Sequence, residues 1–181
     1  FGAIGKRVAK LATAYDMNVI AAGRKPQTEI ENTNVEYHYG DAAIDRVLIH
    51  SDFVLISTPL IDSTHGLIGK RELDLMNNNA YLINPARGHI IDEKALYEAL
   101  AQQHIAGAAI DTWYDYPVSD HDVPRPSKYP FWKLDNVIMT PHHSGATFGT
   151  RDRRAETIAM NIDRLTRGKP LINVLDDISN N

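Results

Sequence analysis

The sequence predicts an α/β fold, a doubly wound parallel sheet, on three observations. Short apolar runs alternate with helical stretches along most of the chain, the pattern of a parallel sheet covered on both faces. A pair of glycines, Gly2 and Gly5, leads directly into the first helical pattern. Polar, chemistry-bearing residues gather just after apolar runs, where the carboxyl ends of parallel strands line a ligand crevice.

The elements run in order. In the opening FGAIGKRVAKLATAYD, Val8, Leu11, Ala12 and Tyr15 recur at helical spacing. Residues 17–22 read as a strand and 35–39 as a short one, with a helix over 42–50. DFVLIS, 52–57, is a buried strand, followed by a helix over 71–76 and a strand over 80–84, AYLIN. Residues 92–102 form an amphipathic helix with Leu96, Ala99 and Leu100 on one face. Two further strands cover 105–110 and 136–140, NVIMT. Between them, a Pro- and Asp-containing loop over 114–132 interrupts the rhythm, and loops of that length are usually functional or interfacial. A last helix over 150–167 ends at Gly168, as helix C-termini often do. Neither an internal repeat nor a low-complexity segment interrupts this series.

Composition narrows the class. A chain of 181 residues can bury a sizeable core. Its 43% hydrophobic and 23% charged residues are ordinary for a soluble globular protein. A net charge of −4 gives no basic footprint for nucleic acid. The absence of cysteine excludes disulfides, thiolate catalysis and thiolate-bound metal. No apolar run approaches the roughly 18 residues of a membrane span.

Gly2 and Gly5 read from their first member as the second and third glycines of G-x-G-x-x-G. They fit a tight packing turn, or a site where backbone approaches a pyrophosphate at a helix N-terminus. In that fingerprint an acidic residue stands roughly 20 positions on and holds a ribose hydroxyl. Arg24 and Lys25 lie 19 and 20 positions after Gly5, behind Gly23 at the strand exit. A carboxylate there would repel a 2′-phosphate, whereas an arginine can bond one through two hydrogen bonds. The pair therefore favours NADP(H) over NAD(H); the bland alternative is two solvated cations.

NPARG, 84–88, and TPHHSG, 140–145, both come directly after buried strands. An arginine at such an exit can clamp a carboxylate and polarise a carbonyl. A histidine can move a proton near neutral pH. Asp111 ends the strand IAGAAID and could bond a cofactor carboxamide or cap the next segment. Adjacent His142 and His143 raise a metal site, but no acidic or histidine partner stands at helical spacing, so none is expected. His38, His50, His65, His89, His104 and His121 fall in no constellation and read as surface residues. Trp113, Phe131 and Trp132 border the long loop as packing or interface anchors.

In order and spacing, FGAIGKRVA, STPLIDSTHGLIGKRELDLM, AYLINPARGHIIDEKALYEAL, IAGAAIDTW and NVIMTPHHSG resemble the D-isomer-specific 2-hydroxyacid dehydrogenases. The closing GKPLINVL looks like the end of that family. The resemblance implies a Rossmann-type cofactor domain over 1–147, with 148–181 returning to a substrate domain. It also implies that the substrate domain and the first sheet strand lie upstream of Phe1. A sheet without that mid-order strand leaves backbone groups unpaired, so this chain alone is expected to melt without a sharp transition.

By motif, Arg87 resembles the family's substrate-carboxylate arginine and His142 its acid/base histidine. Gly2, Ala3, Ile4 and Gly5 would present backbone to the pyrophosphate. Thr58, Pro59, Pro85, Ala86, Asp111 and Gly145 match positions lining the adenosine and nicotinamide ends. The implied activity is an oxidoreductase moving hydride between NADP(H) and a small 2-oxo acid such as glyoxylate or hydroxypyruvate. A cytoplasmic homodimer is expected, with no nucleic-acid or membrane partner.

One departure stands out. The family's third catalytic member is usually a Glu just before a proline, hydrogen-bonded to the histidine. DTWYDYP puts Tyr116 before Pro117 instead. A carboxylate favours the charged imidazole, and a neutral phenol does so less. Either Tyr116 orients His142 or Asp115 takes over. A formate dehydrogenase-like branch has a neutral Gln here, so an NAD-linked formate or phosphite reaction stays open. So does a non-catalytic dinucleotide sensor, as in the family's corepressor branch.

Overall fold

The computed structural model describes residues 1–26, 34–40, 42–119 and 125–174, so His121 and part of the long loop lie outside the described residues. The chain divides into two compact units, Phe1–His143 and Ser144–Asn181.

In the first unit, α1 (Ala3–Ala14) leads to β1 (Val19–Gly23), which pairs in parallel with β2 (Val35–Tyr39), Gly23 opposite Tyr39. Then come α2 (Ala43–His50), β3 (Phe53–Leu55), α3 (Lys70–Asp74), β4 (Tyr81–Asn84), α4 (Glu93–Ala101), β5 (Gly107–Ile110) and β6 (Val137–Met139). The last four strands form one all-parallel sheet in chain order, β3-β4-β5-β6. A doubly wound order expects a strand between β1 and β3. Among the described residues none pairs there, and the sheet stands in two pieces. Parallel pairing brings the carboxyl ends of β3 to β6 to one edge.

Why these residues take these forms is visible in α4. Asp92 precedes it in extended conformation and its Oδ1 accepts the Ala95 N–H at 2.7 Å, a cap whose loss costs about 1 kcal/mol in typical helices. The face it buries, Ala95, Leu96, Ala99 and Leu100, packs into a core with Val54, Leu82, Ile105 and Ile110. Each fully buried aliphatic side chain contributes roughly 1.5–3 kcal/mol. Phe131 is fully buried, its ring edge-on to Tyr97 and Trp113. Trp113 and Phe131 thus act as packing anchors, while Trp132 stays partly exposed under the Arg125 guanidinium. The far end of the long loop is tied to α4, because Glu93 Oε1 accepts from Ser127 Oγ and from Lys128 N–H, each at 2.7 Å.

The expected strands over 52–57, 105–110 and 136–140 shorten to three or four residues. Pairing stops with the shortest partner: Phe53–Leu55 meets only Tyr81–Ile83, and Ala108–Ile110 only Val137–Met139. His104 is less of a surface residue than expected, its Nε2 enclosed 3.7 Å from Asp74 without a hydrogen bond. Among the described residues no helix is long and apolar enough to cross a membrane.

The second unit contains α5 (Thr150–Thr166), entered through Gly149 and left before Gly168, both at positive φ. Asn161 holds the chain after the helix by bonding both the N–H and the C=O of Ile172.

Candidate active site

Three strand exits build the site. At the exit of β4, Asn84 is buried and shapes the turn that carries Arg87. Its side-chain oxygen accepts the Ala86 N–H at 3.0 Å, and its amide donates to the Arg87 carbonyl at 2.9 Å. That leaves Pro85 and Ala86 half-buried and the Arg87 guanidinium exposed, one N–H resting on the Ala86 carbonyl. The next residue, Gly88, lies against the neighbouring exit. A Cβ there would stand 2.5 Å from the Trp113 carbonyl oxygen, so only glycine lets the two segments meet.

At the exit of β5, Asp111 is buried and its carboxylate works as a backbone brace. Oδ1 accepts from Thr140 Oγ1 at 2.6 Å and from the His143 N–H at 2.8 Å. This fixes the turn after β6 from both ends. The indole N–H of Trp113 adds a bond to the Thr140 carbonyl at 3.0 Å. Held this way, His142 adopts φ 60°, a left-handed conformation that costs a non-glycine residue free energy and that surrounding structure must enforce.

Tyr116 meets His142 directly. Its hydroxyl lies 3.1 Å from His142 Nδ1, the rings 5.6 Å apart, and it accepts the Trp113 N–H at 2.9 Å. Asp115 is exposed, and its own N–H goes to the Pro126 carbonyl. The phenol, not the Asp115 carboxylate, is the group that reaches the His142 ring in this fold. The sequence alone does not reveal the Trp113 N–H bond or the brace formed by Asn84. The Asn84 turn has a signal, since asparagine commonly bonds backbone two residues on. The Trp113 bond depends on loop geometry and has none.

The cofactor end is assembled around α1. Gly2 caps the helix without any side-chain bond, and no acidic residue stands in the first turn. The leading N–H groups of a helix lack intrahelical acceptors. A Cβ on Gly2 would meet nothing within 4 Å, and Ala3 and Ile4 are exposed. The opening therefore fits an anionic pyrophosphate in space, charge and donors. Gly5 packs more tightly, a Cβ there standing 3.2 Å from Ser57 Oγ at the exit of β3. Beyond Ser57, Thr58 is half-buried, and the Pro59 carbonyl accepts the Thr64 hydroxyl at 2.7 Å.

At the exit of β1, Arg24 and Lys25 are exposed. Tyr37, one strand over, donates its hydroxyl to the Lys25 carbonyl at 2.7 Å and covers the space a Gly23 side chain would need. Burial pushes the Tyr37 phenol up, so it stays neutral beside the two cations. Gly145 falls in the second unit and is exposed. Among the described residues no group of three His, Asp or Glu could hold a metal ion.

Comparison with known proteins agrees with this layout. Residues 1–144 match the family described as D-isomer specific 2-hydroxyacid dehydrogenase, NAD binding domain. The chain is 36% identical over 169 residues to glyoxylate reductase of Pyrococcus horikoshii, covering 93% of this chain and 47% of that protein. Glyoxylate reductase of Thermococcus gammatolerans is likewise 36% identical, over 171 residues, with the same coverage. Among solved structures, the NAD-complexed D-isomer specific 2-hydroxyacid dehydrogenase of Lactobacillus delbrueckii ssp. bulgaricus superposes with a TM-score of 0.82 at 31% identity, covering 97% of this chain and 53% of that one. The NADPH-dependent glyoxylate/hydroxypyruvate reductase of Sinorhizobium meliloti, bound to NADP and sulfate, gives 0.80 at 26% identity, covering 97% and 51%. The chain thus spans about half the length of the relatives it matches. With a parallel sheet, an uncapped glycine-led helix and ordered motifs over residues 1–144, the chain belongs to the D-isomer specific 2-hydroxyacid dehydrogenases and carries the dinucleotide-binding domain of that family.

Proposed function

We propose that the complete protein uses NADPH to reduce a small 2-oxo acid, glyoxylate or hydroxypyruvate, to the 2-hydroxy acid. The observation that carries the reading is the 3.1 Å contact between Tyr116 and His142, on a sheet edge that also carries Arg87. Bound NADPH supplies hydride to the carbonyl carbon. Arg87 takes the substrate carboxylate in two hydrogen bonds, which orients the carbonyl and withdraws charge from it. His142 gives a proton to the carbonyl oxygen as it gains electrons. The backbone of Gly2, Ala3, Ile4 and Gly5 receives the pyrophosphate. Thr58, Pro59, Pro85, Ala86 and Asp111 line the rest of the cofactor.

Arg24 and Lys25 receive the 2′-phosphate. The absence of a carboxylate at Gly23 and the neutral Tyr37 beside it support this preference. Residues 1–147 serve as the cofactor domain and 148–181 return to a substrate domain, in a cytoplasmic homodimer. The test is kcat/KM of the complete protein with NADPH and NADH, on glyoxylate and hydroxypyruvate. NADPH should win, and Arg24→Ala should reduce that preference about tenfold or more, the loss of one charge-assisted contact of roughly 1.5–3 kcal/mol. NADH preference would make Arg24 and Lys25 ordinary surface cations. A second reading, NAD-linked oxidation of formate or phosphite, draws on the neutral partner at position 116, and turnover of those donors would favour it.

A further inference from the structure

Reduction of a 2-oxo acid needs one proton, and the hydrogen bonds around His142 say where it comes from. An amide N–H can only donate, so the 2.9 Å contact from Trp113 N occupies a lone pair of the Tyr116 oxygen. The phenol's one hydrogen is then available for its other contact, 3.1 Å to His142 Nδ1. With that hydrogen on the contact, Nδ1 is the bare nitrogen and the proton of the neutral imidazole sits on Nε2. This hydrogen assignment rests on the donor count. A carboxylate at position 116 would do the reverse, because it can only accept and would call for a proton on Nδ1.

We propose that Tyr116 is a positioning residue that holds His142 in the Nε2–H tautomer and feeds it a proton through Nδ1 during reduction. The relay rests on the reductase reading; the tautomer does not. As hydride reaches the carbonyl carbon, the C=O π pair moves onto oxygen. Nε2 gives its proton to that oxygen, and its N–H pair stays on the ring. Alone, this would leave an imidazolate. Instead Nδ1 takes the phenol's proton, so His142 ends neutral and Tyr116 ends as a phenolate. The Trp113 N–H already sits where that negative oxygen needs a donor. Tyr116 is 44% exposed, so the cycle closes against solvent: Nε2 takes a proton from water and the phenolate recovers its own from Nδ1.

The brace on the turn makes the relay geometrically stable. Asp111 holds the His143 N–H and Trp113 holds the Thr140 carbonyl, so His142 is fixed on both sides in backbone. Asp111 spends its Oδ1 on backbone and a hydroxyl. Asp115, the other carboxylate on this segment, is exposed.

Two measurements on the complete protein test this. Long-range 1H–15N spectra of histidine-labelled protein, with the His142 signals assigned by their loss in His142→Gln, read the tautomer without any turnover. The expected result is a bare Nδ1 and a protonated Nε2 in the wild type, reversing to Nδ1–H in Tyr116→Glu. A wild-type Nδ1–H, or no reversal in Tyr116→Glu, overturns the assignment. Rates of 2-oxo acid reduction in H2O–D2O mixtures then count protons in flight. A curved dependence in the wild type that becomes linear in Tyr116→Phe, with kcat down about 10²-fold and KM little changed, supports the relay. A linear wild-type dependence, or an unchanged kcat in Tyr116→Phe, overturns it. If no 2-oxo acid turns over, the reductase reading fails, and the spectra still decide the tautomer.

Discussion

Gly88→Ala tests whether the exits of β4 and β5 act as one rigid piece. The added Cβ would lie 2.5 Å from the Trp113 carbonyl oxygen, 2.6 Å from its carbon and 3.1 Å from the Tyr114 nitrogen. Non-bonded carbon contacts are comfortable at about 3.5–4.0 Å, so the two segments must part by roughly 1 Å. Every atom in the way is backbone, and no rotamer change can relieve the clash. The Arg87 side of the contact is held by Asn84, and the Trp113 side by its bond to Thr140. Overpacking of this kind costs about 1–3 kcal/mol, and two braced backbones put it at the upper end, about 2–3 kcal/mol. At about 1.4 kcal/mol per tenfold, that is a roughly 30- to 150-fold loss in the folding equilibrium. The effect on chemistry should be separate and of similar size, since Trp113 carries the N–H that sets Tyr116 and through it His142. A displacement near 1 Å can cost about 10²-fold in rate. Urea unfolding midpoints and kcat of the complete protein would read the two effects. An unchanged midpoint with unchanged kcat would refute the rigid coupling and show that the Trp113 segment yields freely.

Contrasting sites give two more tests. Gly2→Ala meets nothing within 4 Å, so it should leave the unfolding midpoint unchanged while weakening dinucleotide binding about tenfold or more by intruding on backbone approach; unchanged affinity by calorimetry would remove Gly2 from the phosphate site. Glu72 gives a pH prediction. Burial alone would raise its carboxyl, but the Arg71 side chain and the Gly69 N–H outweigh it and hold the group below its ordinary value. A carboxyl depressed in the folded state stabilises above its unfolded value and loses that contribution as pH falls. Stability should therefore decline as pH falls through and below the usual carboxylate range, and Glu72→Gln should flatten that decline by lowering the midpoint at neutral pH toward its acid value. A decline of equal slope in both proteins would assign it to other carboxyls.

The elements are legible where one chain segment carries its own signal. The strand over 35–39 has the same bounds in sequence and structure, and the helices over 42–50, 92–102 and 150–167 differ by one residue at one or both ends. Apolar periodicity and caps such as Asp92 are local, and they survive folding. Strand lengths are less legible, since a ladder ends where its partner ends. The Gly88 approach to Trp113 joins residues far apart in the chain, and no spacing rule announces it. Tyr37 over Gly23 is similar. In the sequence Gly23 is a missing carboxylate; in the fold its place is taken by a phenol from the next strand.

That replacement and the one at position 116 have a common physical consequence. In both places a neutral tyrosine hydroxyl stands where the dinucleotide fingerprint or the family pattern puts a carboxylate, and each hydroxyl bonds backbone as well as facing the site. Tyr37 holds the Lys25 carbonyl, and Tyr116 accepts the Trp113 N–H. A carboxylate offers only acceptors, whereas a phenol donates once and accepts too. At Lys25 the donor is used on a carbonyl, which a carboxylate would repel. At Trp113 the acceptor is used on an N–H, which frees the donor for His142. In each case the hydroxyl bonds fixed main chain, so its direction is set before any ligand arrives. At the exit of β1 a neutral hydroxyl stands where the fingerprint has a carboxylate, and beside His142 a neutral phenol stands where the family pattern has a counter-ion. Both exchanges put a neutral hydroxyl, oriented by main chain, in the place of a carboxylate.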